Sequence, residues 1–177
     1  MHPDTVLKSE KVKPALSLMR VVLGSLLLVV LARISIPIGP VPVSLQSLGI
    51  LILGMTLGSK EATLSVLLYL AEATIGLPVL ALGISKPLWM FGTTSGYLLG
   101  FVPAAYLAGM AKNTFKSALF FYSASLAVIL ISGAAVLSLM IGVNNALSLG
   151  LYPFVLGDML KVLFAASSFS LKNKWFA

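Results

Sequence analysis

Asp158 and Lys161 are the residues of this 177-residue chain whose types and spacing point most directly to chemistry. They lie three positions apart in an apolar stretch, so on a helix their side chains share one face and can form an ion pair. A lone Asp or Lys at the centre of a membrane span costs about 2.5 to 3.5 kcal/mol, and such residues normally face a cavity or each other. We therefore expect a polar binding cavity at this pair; a purely structural ion pair is the alternative.

Two further polar clusters precede this pair in the chain. The first is a proline-rich loop, residues 37–45, whose prolines fix a rigid non-helical backbone before Gln46 begins a helix. This loop is either a cap over a cavity or a simple connector. The second cluster joins an aromatic loop to hydroxyls and glycines, and its candidate residues are Trp89, Phe91, Thr93, Thr94 and Tyr97. Trp89 and Tyr97 are alternatively residues of the aromatic belt at a membrane surface.

The elements that must position these residues are transmembrane helices. Hydrophobic residues make up 59% of the chain and charged residues only 10%, against roughly 25% charged residues in soluble domains. The sequence predicts an all-α integral membrane protein, a bundle of six transmembrane helices near 15–35, 44–58, 60–76, 93–111, 116–141 and 153–171. Residues 1–177 then form a single transmembrane domain, with a polar cytoplasmic N-terminal segment at 1–14.

The basic residues predict how this bundle is oriented. With the N-terminus in the cytoplasm, nine of the 12 Lys and Arg residues fall on the cytoplasmic side, Lys161 lies within a span, and only Arg33 and Lys86 fall outside. Both termini are therefore expected in the cytoplasm, and all three polar clusters lie at the extracytoplasmic end. Glu72, near the outer end of the third helix, is a further candidate, with a snorkelling or locally paired carboxylate as its alternative. Because topology explains the net charge of +7, we expect no nucleic-acid partner.

Small residues recur every fourth position along the fourth predicted helix. They are Gly92, Gly96, Gly100, Ala104 and Ala108. Such a stripe lets neighbouring backbones approach closely, so it predicts that this helix is central to the bundle.

The sequence lacks the residues that common catalytic and metal sites require. The chain has no cysteine and one histidine, His2, in the polar N-terminal segment, so neither a Ser-His nucleophile nor a His-ligated metal is expected. Segment 54–60 looks like a nucleotide-binding loop, but it has one residue too few between its glycines and no Ser or Thr after Lys60. We expect no enzyme activity, no cofactor and no metal, so any energy input must come from a partner or a gradient.

Three segments together resemble BioY, the biotin-specific substrate-binding (S) component of energy-coupling factor (ECF) transporters. They are residues 37–46 (PIGPVPVSLQ), 92–101 (GTTSGYLLGF) and 153–161 (PFVLGDMLK), and the resemblance runs from about residue 15 to 170. The chain departs from the family's usual pattern at Thr93, where proline is usual, and at Ser95, where glycine is usual. Its loop at 81–87 also lacks the family's many glycines.

The resemblance implies a biotin-uptake component in the cytoplasmic membrane that works with an energising module of one transmembrane T subunit and two ATPase subunits. Asp158 and Lys161 would complement the donors and acceptor of biotin's ureido ring, and neutral donors would hold its carboxylate, although which group binds which end stays open. The residues predicted to bind substrate are Asp158, Lys161, Tyr97, Gln46, Thr93, Thr94, Trp89 and Phe91. An S component for another vitamin and a solitary uptake facilitator are alternatives within transport. An intramembrane enzyme or lipid-handling protein and a structural packing subunit are alternatives of other classes.

Overall fold

The computed structural model describes residues 3–112 and 114–175, with side-chain surroundings for 14–112 and 114–168. Its main elements are helices: α1 (Pro3–Arg33), α2 (Gln46–Thr74), α3 (Ser95–Ala108), α4 (Phe115–Ile141), α5 (Val143–Gly150) and α6 (Tyr152–Trp175). Two strands of two residues each, β1 (Ser35–Ile36) and β2 (Val43–Ser44), form an antiparallel hairpin. The predicted helical class is confirmed.

The predicted polar segment at 1–14 is not separate from the first helix. Residues 3–14 belong to α1, while residues 1 and 2 lie outside the described part of the chain. The apolar stretch of α1 begins at Pro14.

Among the described residues, four helical segments are long and apolar enough to cross a membrane. They are Pro14–Arg33, Gln46–Thr74, Phe115–Ile141 and Val143–Ser168, and α3 is a shorter apolar helix of 14 residues. These spans support a multi-pass membrane protein.

Gly58 breaks α2 where the sequence predicts the boundary between the second and third helices. Its φ of 74° and ψ of 176° are far from helical values, and glycine adopts a positive φ without steric cost. The amide of Gln46 bonds the hydroxyl of Tyr69, 23 residues further along, a separation of about 34 Å in a continuous helix. The two halves of α2 therefore fold back on each other.

Helix α3 packs between α2 and α4, as the stripe of small residues predicts. A Cβ added at Gly96 would overlap the carbonyl oxygen of Ser132 on α4, and one added at Gly100 would overlap the side chain of the same serine. Ala104 and Ala108 are fully buried. The small residues thus let α3 approach its neighbours at backbone distance, which is a packing role.

The end of the bundle that carries the polar clusters is closed by loops. Arg33, at the end of α1, donates from Nη2 to the carbonyl of Pro78 at 2.7 Å, which ties α1 to the loop between α2 and α3. The hairpin pairs Ser35 with Ser44 and lies next to the start of α2. These contacts hold two connecting segments over the helix ends.

Candidate functional site

A cavity of about 320 Å³ lies under the hairpin and the loop between α2 and α3. The proline-rich segment from Pro37 to Ser44 and the loop residues 80–86 cover it, and α2, α3, α4 and α6 form its walls. Five of the eight residues predicted from the sequence line it: Gln46, Thr93, Thr94, Tyr97 and Asp158. Three clusters that are distant in sequence therefore meet in one space, and the proline-rich loop is a cap.

Asp158 and Lys161 form the predicted ion pair, with Lys161 Nζ 2.9 Å from Asp158 Oδ1. Both side chains are largely buried, 7% exposed for the aspartate and 11% for the lysine. Lys161 Nζ also donates to Ser47 Oγ at 2.7 Å and to the carbonyl of Ser44 at 3.2 Å. Asp158 lines the cavity, whereas Lys161 lies behind it against the start of α2. The buried aspartate is thus paired with an opposite charge. A buried carboxylate without such a partner would cost several kcal/mol.

Gln46 belongs to a hydrogen-bond chain that reaches the covering loop. Its Nε2 donates to the hydroxyl of Tyr69 at 2.6 Å, and that hydroxyl donates to the carbonyl of Val79 at 3.0 Å. On the other side, Ser44 Oγ donates to Gln46 Oε1 at 3.0 Å. The amide is therefore held in one orientation, a condition for a side chain that must recognise a ligand by hydrogen bonds.

Tyr97 enters the bundle and is only 6% exposed, so it is not a belt residue facing lipid. Its ring lies against Gly133, where a Cβ would overlap it, and stacks with Phe154 at a centroid distance of 5.9 Å. Its hydroxyl donates to the carbonyl of Gly150 at 2.6 Å, which ties α3 to α5. Tyr97 and Phe154, together with Phe101, give the cavity an aromatic wall.

The two loop aromatics predicted for the site lie elsewhere. Trp89 is buried, 3% exposed, and donates from Nε1 to Thr74 Oγ1 at 3.0 Å, so it fastens the loop to the end of α2. Phe91 is 77% exposed on the surface. Neither residue lines the cavity. Glu72 also lies away from it and accepts a hydrogen bond from Ser25 Oγ at 2.7 Å, the local pairing given as its alternative.

Sequence reasoning missed Phe154 and Ser47. Phe154 precedes Asp158 by four residues, so the helical period places both on one face of α6 and could have identified it. Ser47 directly follows Gln46, and both line the cavity. Adjacent helical residues point about 100° apart, so nothing in the sequence alone marks Ser47.

A second, apolar cavity of about 270 Å³ lies between α4 and α6. Its lining includes Leu126, Met159 and Val162, and two of its residues, Leu130 and Asp158, also line the polar cavity. These two residues therefore belong to the wall shared by the two spaces.

The fold and this polar cavity define a multi-pass membrane protein with an internal binding site for a small molecule. More particularly, the chain belongs to the BioY family, whose model matches residues 6–176.

Curated relatives of similar length carry the same family name. A biotin transporter BioY from Thermotoga maritima is 36% identical over 144 residues, 79% of this chain and 85% of the relative. A probable biotin transporter BioY from Pyrococcus horikoshii is 36% identical over 73% of this chain and 79% of its own length. The biotin transporter BioY2 of Lactococcus lactis is 33% identical over 83% of this chain and 84% of its own length.

The fold is also similar to a solved structure. The crystal structure of the S-component for biotin from an ECF-type ABC transporter superposes with a TM-score of 0.77 and 26% sequence identity. The match covers 98% of this chain and 95% of that chain.

Proposed function

We propose that this protein is the biotin-binding S component of an ECF-type transporter, which captures biotin outside the cell and delivers it inward with an ATP-driven partner module. Its family, the names of its relatives and its likeness to a biotin S component support this function. The cavity of about 320 Å³ is also in the range of small-molecule sites, about 300 to 1,000 Å³. The protein itself has a binding role and no catalytic one.

The observation that carries the proposal is the buried, charge-balanced carboxylate of Asp158 in the cavity wall. Biotin's ureido ring presents two N–H donors, and a carboxylate oxygen is the strongest acceptor that a side chain can offer them. The aromatic rings of Tyr97, Phe101 and Phe154 supply an apolar surface for the fused rings.

The opposite end of biotin is a carboxylate, which requires donors. Thr94 and the Gln46 amide line the cavity, and Lys86 lines it within the covering loop. A lysine near the mouth of the cavity attracts an anionic ligand. Because its charge is partly solvated, it adds less to the binding free energy than a buried charge would, so the ligand can still dissociate.

The arrangement in the membrane completes the proposal. Six transmembrane helices, the two halves of α2 counted separately, cross the cytoplasmic membrane with both termini in the cytoplasm. The cavity then opens to the outside. A module of one T subunit and two ATPase subunits supplies the energy: ATP hydrolysis switches the module between states that bind this subunit differently, and this reorients the loaded subunit.

Isothermal titration of biotin into the purified protein in detergent tests the function. We expect saturable binding to the unmodified protein and a loss of more than about tenfold in affinity for Asp158→Asn, which removes a charge-assisted hydrogen bond worth about 1.5 to 3 kcal/mol. Glu72→Gln is the matched control, since the same carboxylate-to-amide change is made outside the cavity, and it should bind as the unmodified protein does.

Two outcomes would overturn this function. One is an unmodified protein that does not bind biotin; the other is an Asp158→Asn variant that binds it with unchanged affinity. Tighter binding of a different vitamin would instead support an S component for that vitamin. Full uptake in a host that lacks every energising subunit would select the solitary facilitator.

A further inference from the structure

Lys161 has no donor left for a ligand. An ammonium group carries three N–H donors, and those of Lys161 are matched by Asp158 Oδ1 at 2.9 Å, Ser47 Oγ at 2.7 Å and the carbonyl of Ser44 at 3.2 Å. The side chain is 11% exposed and is not part of the cavity lining. Direct binding of a ligand by Lys161 would require one of these three hydrogen bonds to break.

Asp158 is engaged through one of its two carboxylate oxygens. Oδ1 accepts from Lys161 Nζ and from Ser47 Oγ, the latter at 3.3 Å. No hydrogen bond to Oδ2 occurs among the described residues, and Oδ2 is not one of their buried unpartnered atoms. Oδ2 is therefore the oxygen that stays available for an incoming donor.

Ser47 is the link between the two charges. Its hydroxyl accepts from Lys161 and donates to Asp158, so it uses its single proton to fix the carboxylate. It stands on α2, while both charged residues stand on α6. The orientation of the carboxylate thus depends on the packing of α6 against α2.

We infer that Lys161 and Ser47 are positioning residues, which act on the ligand through Asp158 by holding Oδ1 so that Oδ2 accepts one ureido N–H. This inference rests on the proposed binding of biotin. It replaces the expectation that the Lys161 ammonium binds the ureido carbonyl, and it makes one N–H of the ligand the feature recognised at this end of the cavity.

Ser47 variants test the inference with little risk to the fold. Ser47→Ala should weaken biotin binding by about threefold to tenfold, the usual effect of one lost hydrogen bond, and Ser47→Thr, which keeps the hydroxyl, should bind within about twofold of the unmodified protein. A thermal unfolding scan of each variant verifies that the fold persists. Equal affinities of Ser47→Ala and the unmodified protein would overturn the role of Ser47.

Selectivity distinguishes positioning from a merely structural effect. The unmodified protein should prefer biotin over an analogue methylated at the bound ureido nitrogen, because the analogue has no N–H for Asp158 Oδ2. That preference should shrink severalfold in Ser47→Ala and in Lys161→Met, and also in Asp158→Asn. A general loosening of the fold would instead weaken both ligands equally and leave the ratio unchanged, which would contradict the inference.

A second analogue tests direct contact by Lys161. In 2-thiobiotin, sulfur replaces the ureido oxygen and accepts hydrogen bonds poorly, so a lysine bound to that atom would favour biotin strongly. We expect the ratio of the two affinities to be the same in the unmodified protein and in Lys161→Met. A ratio that falls toward one in Lys161→Met would overturn the inference and leave the proposed function intact, whereas failure of the unmodified protein to bind biotin would contradict the function itself.

Discussion

Thr93 fastens the proline-rich cap to the rest of the molecule by a single side-chain hydrogen bond. Its Oγ1 donates to the carbonyl of Pro40 at 2.8 Å, across 53 residues of sequence. A residue without a side-chain donor at this position, such as proline, could not make this bond. The hydroxyl of Thr93 therefore attaches the cap to the start of α3.

Removing that attachment should make the ligand leave faster. In Thr93→Val the shape is kept and the hydroxyl is lost, and we expect biotin to dissociate about threefold to tenfold faster, because differences between related complexes arise mostly in dissociation rates. Exchange of labelled biotin against an excess of unlabelled biotin measures this rate. Thr63→Val, whose hydroxyl bonds the carbonyl of Ser59 within α2, is the control and should not change it. An unaltered rate in Thr93→Val would show that the bond does not hold the cap.

The pairing of side chains on one regular helix was predictable, whereas the positions of the two aromatic side chains on the loop before α3 were not. Asp158 and Lys161 pair because a helix brings positions i and i+3 together, whatever the rest of the fold does. Trp89 and Phe91 follow no such rule, since the direction of a loop side chain depends on tertiary contacts such as the one between Trp89 and Thr74. The roles of the predicted residues in binding stay predictions until the titrations are made.

At the scale of the helices, the end of α3 packs at backbone distance against the break in α2. A Cβ at Gly109 would overlap the backbone nitrogen of Ser59, and one at Gly54 would overlap Ala108. Backbone atoms cannot move aside as flexible side chains can, so a larger residue at Gly109 must displace a whole element.

Gly109→Ala should therefore destabilise the protein by about 1 to 3 kcal/mol, the usual range for overpacking. The measurement is the apparent unfolding temperature in detergent, which we expect to fall by several degrees. Gly157→Ala is the matched control, since nothing lies within 4 Å of a Cβ at that helical position, and alanine is the better helix former. If both variants unfold at the same temperature, the close contact is not important for stability.

Hydropathy predicted the long helices, but it did not predict the short helix α5. Gly58 interrupts α2 near the predicted boundary, which the sequence marks by Gly58 and Lys60 between two apolar runs. Helix α5, Val143–Gly150, lies where a loop was expected; its eight residues include two asparagines and fall far below the length of a span. Its position depends on partners such as Tyr97, which only the fold reveals.

At the scale of the whole molecule, the proposed orientation in the membrane can be tested directly, because the chain has no cysteine to remove. Ile84→Cys lies in the loop that covers the cavity, and Lys116→Cys lies at the start of α4; both positions are exposed. In intact cells a membrane-impermeant maleimide should label Ile84→Cys and leave Lys116→Cys unlabelled until the membrane is permeabilised. The reverse pattern would invert the topology and place the cavity on the cytoplasmic side.

The wall shared by the two cavities has a consequence for the energetics of the whole protein. Leu130 and Asp158 separate a polar space from an apolar groove that opens between α4 and α6. In the proposed membrane orientation that groove would face hydrocarbon, so the carboxylate would stand at a dielectric boundary, with screening by water on one side only. Weak screening strengthens each hydrogen bond that a carboxylate makes. Under the proposed function, the surrounding lipid would then take part in setting how firmly the protein holds its cargo.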